Sequence, residues 1–231
     1  MVSPHLDDAA LSCARFLAAH PGSCLITVFA AGPASVSPLT TWDRAARYFK
    51  DGADVMAVRR GEDATAAALV RAAALHLPYW DRQYRNEQYG YHGPAEAELA
   101  PAIAADLLAQ SAKQPQPWLI PLGLGHPDHR LAAEAALLWV GQTWASPGAA
   151  DVYLYEELPY AVEDPAGVAD RKQDLARRGF ALEEDASLEF LDDRAVKKAV
   201  LRCHASQWRT LRRRARTAVR TPERIWRLVH R

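Results

Sequence analysis

Apolar residues along this chain fall into two alternating kinds of run. Short continuous runs, "CLITVFAAG" at 24–32, "PWLIPLGLG" at 117–125 and "DVYLYEELPY" at 151–160, carry β-branched and aromatic residues; the first two are closed by Gly or Pro. This is the pattern of strands buried on both faces. Between them lie longer stretches whose apolar positions recur three and four apart: 8–19, 42–75, 95–112, 126–144 and 165–178. These read as helices, the second as a pair broken near Gly61 and followed by a short strand at 75–77. A strand or strand pair at 180–191 and mostly helix over 192–231 complete the pattern. Strands alternating with helices predict an α/β fold, a doubly wound and mostly parallel sheet.

The chain has 231 residues, no internal repeat and no Gly/Ser/Pro-rich linker, so a single domain is expected, with 207–231 as a helical extension of a body spanning 1–206. Residues 78–94, "PYWDRQYRNEQYGYHGP", are polar, aromatic and aperiodic, which suits a binding loop. Trp80, Tyr84, Tyr89, Tyr91 and His92 are its candidates for stacking on a ligand. Only four residues precede His5, so the strand leading into it is expected to be a stub.

Composition excludes more than it selects. Lys+Arg and Asp+Glu balance at 28 each, so global charge names no partner. Cys13, Cys24 and Cys203 are odd in number and far apart, which argues against a disulfide framework and for a reducing compartment. No leader-type segment and no run of about 18 apolar residues is present, so a cytoplasmic protein without a spanning helix is expected. The nine arginines of 207–231, with Trp208, Leu211, Ile225, Trp226 and Val229, suggest a partly amphipathic helix. A solvated helix is the plainer reading; no nucleic acid is expected, and peripheral contact with a membrane surface through this helix is the functional alternative.

In open α/β sheets ligands bind beyond the carboxyl ends of strands, so strand-to-helix corners are where a site is expected. Two are chemically loaded: "SPHLDDAALSC" with His5, Asp7 and Asp8, and "GHPDHR" with His126, Asp128 and His129. Singly, each acidic residue reads as a helix cap and each histidine as a surface or core residue. Jointly they offer imidazole and carboxylate, the ligands zinc accepts. His5 and Asp8 with one histidine of the second corner would leave the open position that a catalytic zinc keeps for water.

These paired motifs resemble the PIG-L/LmbE-like family of zinc-dependent N-acetylglucosamine de-N-acetylases. "RRGED" at 59–63, "WDRQYR" at 80–85, "YEELPY" at 155–160 and "KKAVLRCHASQ" at 197–207 resemble further family segments in the same order. The resemblance implies a Rossmann-like fold over residues 3 to about 207. It implies His5, Asp8 and His129 as metal ligands, Asp7 as general base, His126 as the donor to the oxyanion and Asp128 as its neighbour. Arg59, with Glu62, and Asp81 would meet the sugar, beside Trp80 and Tyr84. The implied cofactor is Zn2+, with Fe2+ as the other candidate, and the implied substrate an N-acetylated amino sugar or glycoconjugate. Leu6, Ala9 and "SCARF" depart from the commoner family pattern without removing a ligand. The rival readings are a non-catalytic metal-containing protein that binds nucleic acid or membrane through its basic end, and a different metal-dependent hydrolase such as a phosphoesterase.

Overall fold

Strands and helices alternate as the hydrophobic pattern requires. A computed structural model describes residues 1–112, 117–144, 150–185, 188, 190 and 192–230. Positions 186, 187, 189 and 191 of the expected 180–191 strand pair, and Arg231 of the basic end, lie outside them. In chain order the first elements are β1 (Val2–Ser3), α1 (Asp8–Ser12), α2 (Ala14–Ala19), β2 (Cys24–Thr27), α3 (Thr41–Ala46), α4 (Val55–Leu69) and β3 (Ala73–His76). After the 78–94 loop come α5 (Glu96–Ser111), β4 (Trp118–Pro121), α6 (Pro127–Thr143), β5 (Val152–Tyr155), α7 (Tyr160–Glu163), α8 (Pro165–Arg177) and β6 (Phe180–Glu183). The chain closes with α9 (Arg194–Arg202), α10 (Trp208–Arg220) and β7 (Ile225–His230).

Contacts gather these elements into two units. One comprises Ser3–Gly93 with Phe190–Pro222, the other Met1–Val2, Pro94–Glu189 and Glu223–Arg231. The first unit is built on a sheet of order β1-β2-β3, in which β2 and β3 run parallel. Leu25, Ile26, Val28 and Phe29 of the predicted 24–32 strand are buried there. Helices α1, α2, α4, α9 and α10 pack together beside this sheet. The second unit carries a sheet of order β4-β5-β7-β6. Here β4 and β5 are parallel, while β7 runs antiparallel to both its neighbours. Helices α5 and α6 pack against each other, and Trp139 of α6 lies over Trp118 with centroids 4.5 Å apart. The α/β class expected from the pattern stands.

Three local expectations are corrected. The 8–19 helix is two short helices, because Cys13 leaves helical geometry (φ −138°, ψ 20°) and serves as the end of α1 and the start of α2. The break expected near Gly61 lies earlier, and α4 runs straight through that glycine. Arg47 ends α3 in the left-handed region (φ 54°), Gly52 turns the chain at φ 87°, and Asp54 restarts it by accepting the Ala57 N–H. A glycine costs a helix only about 1 kcal/mol, whereas a capped turn supplies partners for several otherwise unpaired backbone groups. Finally, the helix expected through 231 stops at Arg220, since Pro222 disfavours helical geometry at the residue before it. "IWRLVH" then alternates as a strand and pairs on both edges.

Candidate functional site

The first loaded corner lies between the stub β1 and α1. Ser3 Oγ donates to the His5 carbonyl at 2.8 Å, and the His5 backbone N–H donates to Asp8 Oδ2 at 2.9 Å. That same carboxylate oxygen lies 3.2 Å from His5 Nδ1, so the turn brings an imidazole nitrogen and a carboxylate oxygen side by side. The His5 ring leans on Phe29, with centroids 5.9 Å apart. Leu6, buried next to it, belongs to an apolar cluster with Ala30, Val36, Leu39, Met56 and Tyr84, which pins the turn to the unit's core. Asp8 is buried. Asp7 is half-buried and occupies the N-cap position of α1, where its carbonyl accepts from Leu11 N at 3.0 Å. Its side chain makes no capping bond, so the capping role weighed for this residue falls to its backbone alone.

The second corner is built by "PLGLGHPDHR" between β4 and α6. Gly123 and Gly125 have φ of 94° and 69°. A Cβ on Gly125 would meet the Tyr160 ring at 2.0 Å, so only glycine lets the chain pass here. His126 occupies the N-cap position, where Nδ1 accepts from the Asp128 backbone N–H at 3.2 Å. An accepting Nδ1 puts the ring proton of neutral His126 on Nε2. Asp128 and His129 are fully buried in the first turn, where a carboxylate suits the positive end of the helix.

Glu157, just past β5, holds this corner together. Its carboxylate accepts the N–H groups of Leu122, Gly123 and Leu124 at 3.1, 2.7 and 3.0 Å. It also lies 3.3 Å from His129 Nδ1. Tyr160 meets that ring edge-on, with centroids 5.0 Å apart. A carboxylate on one imidazole nitrogen, fixing the ring and directing the second nitrogen elsewhere, is the arrangement found behind metal-ligating histidines. Glu157 lies in the quoted "YEELPY" segment, but the motif reading singled it out for no role. The available signal was a pair of acidic residues directly after an apolar strand, in "YLYEEL".

The candidate sugar contacts are distributed less simply. Arg59 and Glu62, one turn apart on α4, both grip the segment after α9: Arg59 Nη2 donates to Gln207 Oε1 at 2.7 Å. Glu62 accepts the Ser206 N–H and hydroxyl, each at 2.6 Å. The "RRGED" and "HASQ" segments are thus two halves of one clasp. Arg59 is buried, with its guanidinium 3.1 Å from Asp43 and 3.6 Å from Asp81. Tyr84, expected to stack on a ligand, is instead fully buried and donates to Asp43 at 2.7 Å. Burial pushes its phenol well above the ordinary range, and Asp43 adds to the shift, so it stays a donor. Trp80 is half-buried and tilts against Tyr91 at 5.5 Å, and Asp81 caps the turn at Arg82–Tyr84 by accepting from Gln83 N. His204 is buried beside the clasp. Desolvation lowers its pKa, and its Nε2 has no hydrogen-bond partner among the described residues.

No family model matches the chain. It is 30% identical over 187 residues to 2'-N-acetylparomamine deacetylase of Streptomyces fradiae, a stretch covering 77% of this chain and 62% of that relative. Among solved structures, the fold matches a deacetylase of the teicoplanin biosynthesis pathway with a TM-score of 0.74 and 25% identity, over 100% of this chain and 97% of the other. It matches the A40926 pseudoaglycone deacetylase with a TM-score of 0.73 and 26% identity, over 99% and 96%. By sequence and by fold the chain is therefore similar to deacetylases, the class of enzyme that the resemblance of its two His/Asp corners implied, and it spans about three fifths of the length of the curated relative it matches.

Proposed function

We propose that the chain is a zinc-dependent hydrolase that removes the acetyl group from an N-acetylated amino sugar, free or carried on a glycoconjugate. The observation that carries this reading is the buried His129–Glu157 pair, a ligand-type imidazole backed by a carboxylate, at one of the two motifs the family uses. Its relatives, named for 2'-N-acetylparomamine and for the A40926 pseudoaglycone, support the same chemistry.

In this reading His5, Asp8 and His129 hold the metal. Zinc held there would supply Lewis-acid chemistry, bringing the pKa of a water down toward neutrality and polarising a carbonyl. Asp7, not spent on capping α1, accepts the proton of the attacking water. His126 presents its Nε2–H to the carbonyl oxygen as charge gathers there, a donor worth about 3 kcal/mol to the transition state. Asp128 fixes that tautomer through its backbone N–H. Trp80 and Asp81 meet the sugar, and Arg59 and Tyr84 act from behind by holding Asp81 and Asp43.

The setting belongs to the same proposal. Among the described residues no helix is long and apolar enough to cross a membrane, and no disulfide joins Cys13, Cys24 and Cys203. We take the cytoplasm as the compartment. Contact with an anionic membrane would fall to the arginine face of α10, since Leu211, Ala215, Ala218 and Val219 turn its apolar side inward.

The test is metal analysis of the purified protein, followed by release of free amine and acetate from N-acetylated amino sugars with and without a chelator. Stoichiometric zinc and chelator-sensitive amine release are expected; Fe2+ in its place would change the metal and keep the ligands. Metal-free protein with no amine release on zinc addition overturns the reading.

A further inference from the structure

A second recess in the unit that carries His5 and Asp8 is unused by the proposed chemistry. It has a volume of about 500 Å3 and lies between the start of α3 and the 83–89 stretch. Its lining combines aromatic, amide and hydroxyl groups with the apolar Pro38 and Leu39, and among the described residues the one charged group lining it is Arg44. Trp42 supplies an exposed indole, 37% accessible, at the rim. Tyr89 and Leu39, also in the lining, pack in or against the apolar cluster that holds Leu6, the residue between His5 and Asp7.

The walls are held in place before any ligand arrives. Trp42 Nε1 donates to Gln207 Oε1 at 2.7 Å, the oxygen that also receives Arg59. The Arg214 guanidinium sits 6.0 Å from the indole centroid. Thr40 Oγ1 caps α3 by accepting the Asp43 N–H and lies 2.7 Å from both Asp43 Oδ2 and Gln83 Oε1. The Tyr89 hydroxyl donates to the Pro38 carbonyl at 3.0 Å. A fixed indole with hydroxyl and amide groups around it matches a pyranose, which pairs an apolar face of C–H groups with a rim of hydroxyls.

We propose that this recess is a saccharide subsite that takes a neutral sugar ring adjoining the one that is deacetylated, with Trp42 as its stacking platform. The identity of the reacting ring rests on the deacetylase reading; the binding of a neutral ring does not. With Arg44 in its lining, Arg214 beside the indole and no carboxylate among the described lining residues, the recess disfavours a ring bearing ammonium groups. Trp42 thereby takes the role that the sequence assigned to the 78–94 aromatics, of which Tyr84 is buried.

The experiment compares wild type, Trp42→Ala and Trp42→Phe on three probes: N-acetylglucosamine, N,N'-diacetylchitobiose and 2'-N-acetylparomamine. Losing one stacked ring is expected to raise KM for the chitobiose probe roughly 3- to 10-fold in Trp42→Ala, with kcat within about twofold. Trp42→Phe should recover most of that loss, and one-ring kinetics should not change. Equal losses on one-ring and two-ring probes, or no loss on either, overturn the subsite. A Trp42-dependent preference for the paromamine probe overturns its neutral character. Ligand-observed saturation-transfer NMR on the same proteins keeps the question separate from catalysis. If wild type hydrolyses none of the probes, the deacetylase reading fails. Chitobiose signals present in wild type and lost in Trp42→Ala would still establish the subsite, and their absence from wild type, or their persistence in the variant, would refute it.

Discussion

Asp7 and Asp8 are neighbours in sequence and differ in every physical respect. Asp8 is buried and receives the His5 N–H, so its carboxylate is part of the turn that presents the imidazole. Asp7 is half-buried and its side chain leaves α1 uncapped. Removing the first should therefore dismantle the corner, and neutralising the second should not. Asp8→Ala is expected to lose bound metal and turnover together, whereas Asp7→Asn retains metal by elemental analysis and loses about 100-fold or more in kcat. Full turnover in Asp7→Asn removes its assignment as the base. Glu157 offers a second contrast. Glu157→Gln keeps the size but replaces one acceptor oxygen by an NH2 that cannot accept the N–H groups of 122–124. Loss of about 1–3 kcal/mol of stability and 10- to 100-fold in metal affinity is expected, read by thermal unfolding and zinc titration. The sequence made the histidines and aspartates visible because they fall in two similar corners. Glu157 stood inside the "YEELPY" segment without a legible role, because its partners are backbone N–H groups more than thirty residues away, which no local spacing encodes.

At the scale of elements, legibility follows the range of the forces involved. The strands at 24–32, 117–125 and 151–160 and the helices at 95–112, 126–144 and 165–178 are dictated by local burial patterns, and all form. The errors arise where a local rule competes with a partner supplied elsewhere: Gly61 is tolerated inside α4 because that helix is capped by Asp54 and anchored through Glu62 to Ser206. The alternation in "IWRLVH" was masked by the arginines before it, although Thr221-Pro222 marks the change. The clasp between α4 and the turn after α9 also makes a pH-dependent element. His204 faces Asp63, Glu62, Arg59 and Asp8, and desolvation lowers its pKa below the ordinary 6.5. A histidine with a lowered folded pKa is protonated first in the unfolded chain, so stability is retained above pH 6.5 and declines as pH falls below it, until the folded pKa is reached. The decline cannot exceed about 1.4 kcal/mol per pH unit for one group. Melting temperatures from pH 7.5 to 5.5 should fall more steeply in wild type than in His204→Leu, and parallel curves would show that this histidine is not the source.

Over the whole molecule, the balance of 28 basic and 28 acidic residues hides a segregation. Residues 194–222 carry ten Lys and Arg and no Asp or Glu, which leaves 18 basic against 28 acidic residues for the rest of the chain. The fold sharpens the contrast, because α10 buries Leu211, Ala215, Ala218 and Val219 and turns Arg209, Arg212, Arg213, Arg216 and Arg220 outward. Like charges this dense repel one another, and what offsets that repulsion is the packing of the buried side together with an ion pair at the start of the segment, Arg194 with Asp192 at 3.5 Å. Fields from such a cluster extend about 10 Å at 0.1 M salt, so a polyanion at the surface responds to the local cluster rather than to the net charge. The protein should accordingly be retained on a cation exchanger near its sequence pI of about 7.1, where a molecule of evenly mixed charge would pass through. Elution should move to lower salt when Arg212, Arg213 and Arg216 are replaced by Gln, with turnover unchanged because none of them touches the two His/Asp corners. Flow-through of the wild type would mean that the ten cations are neutralised within the fold. Retention that survives the triple replacement would move the cationic surface away from α10.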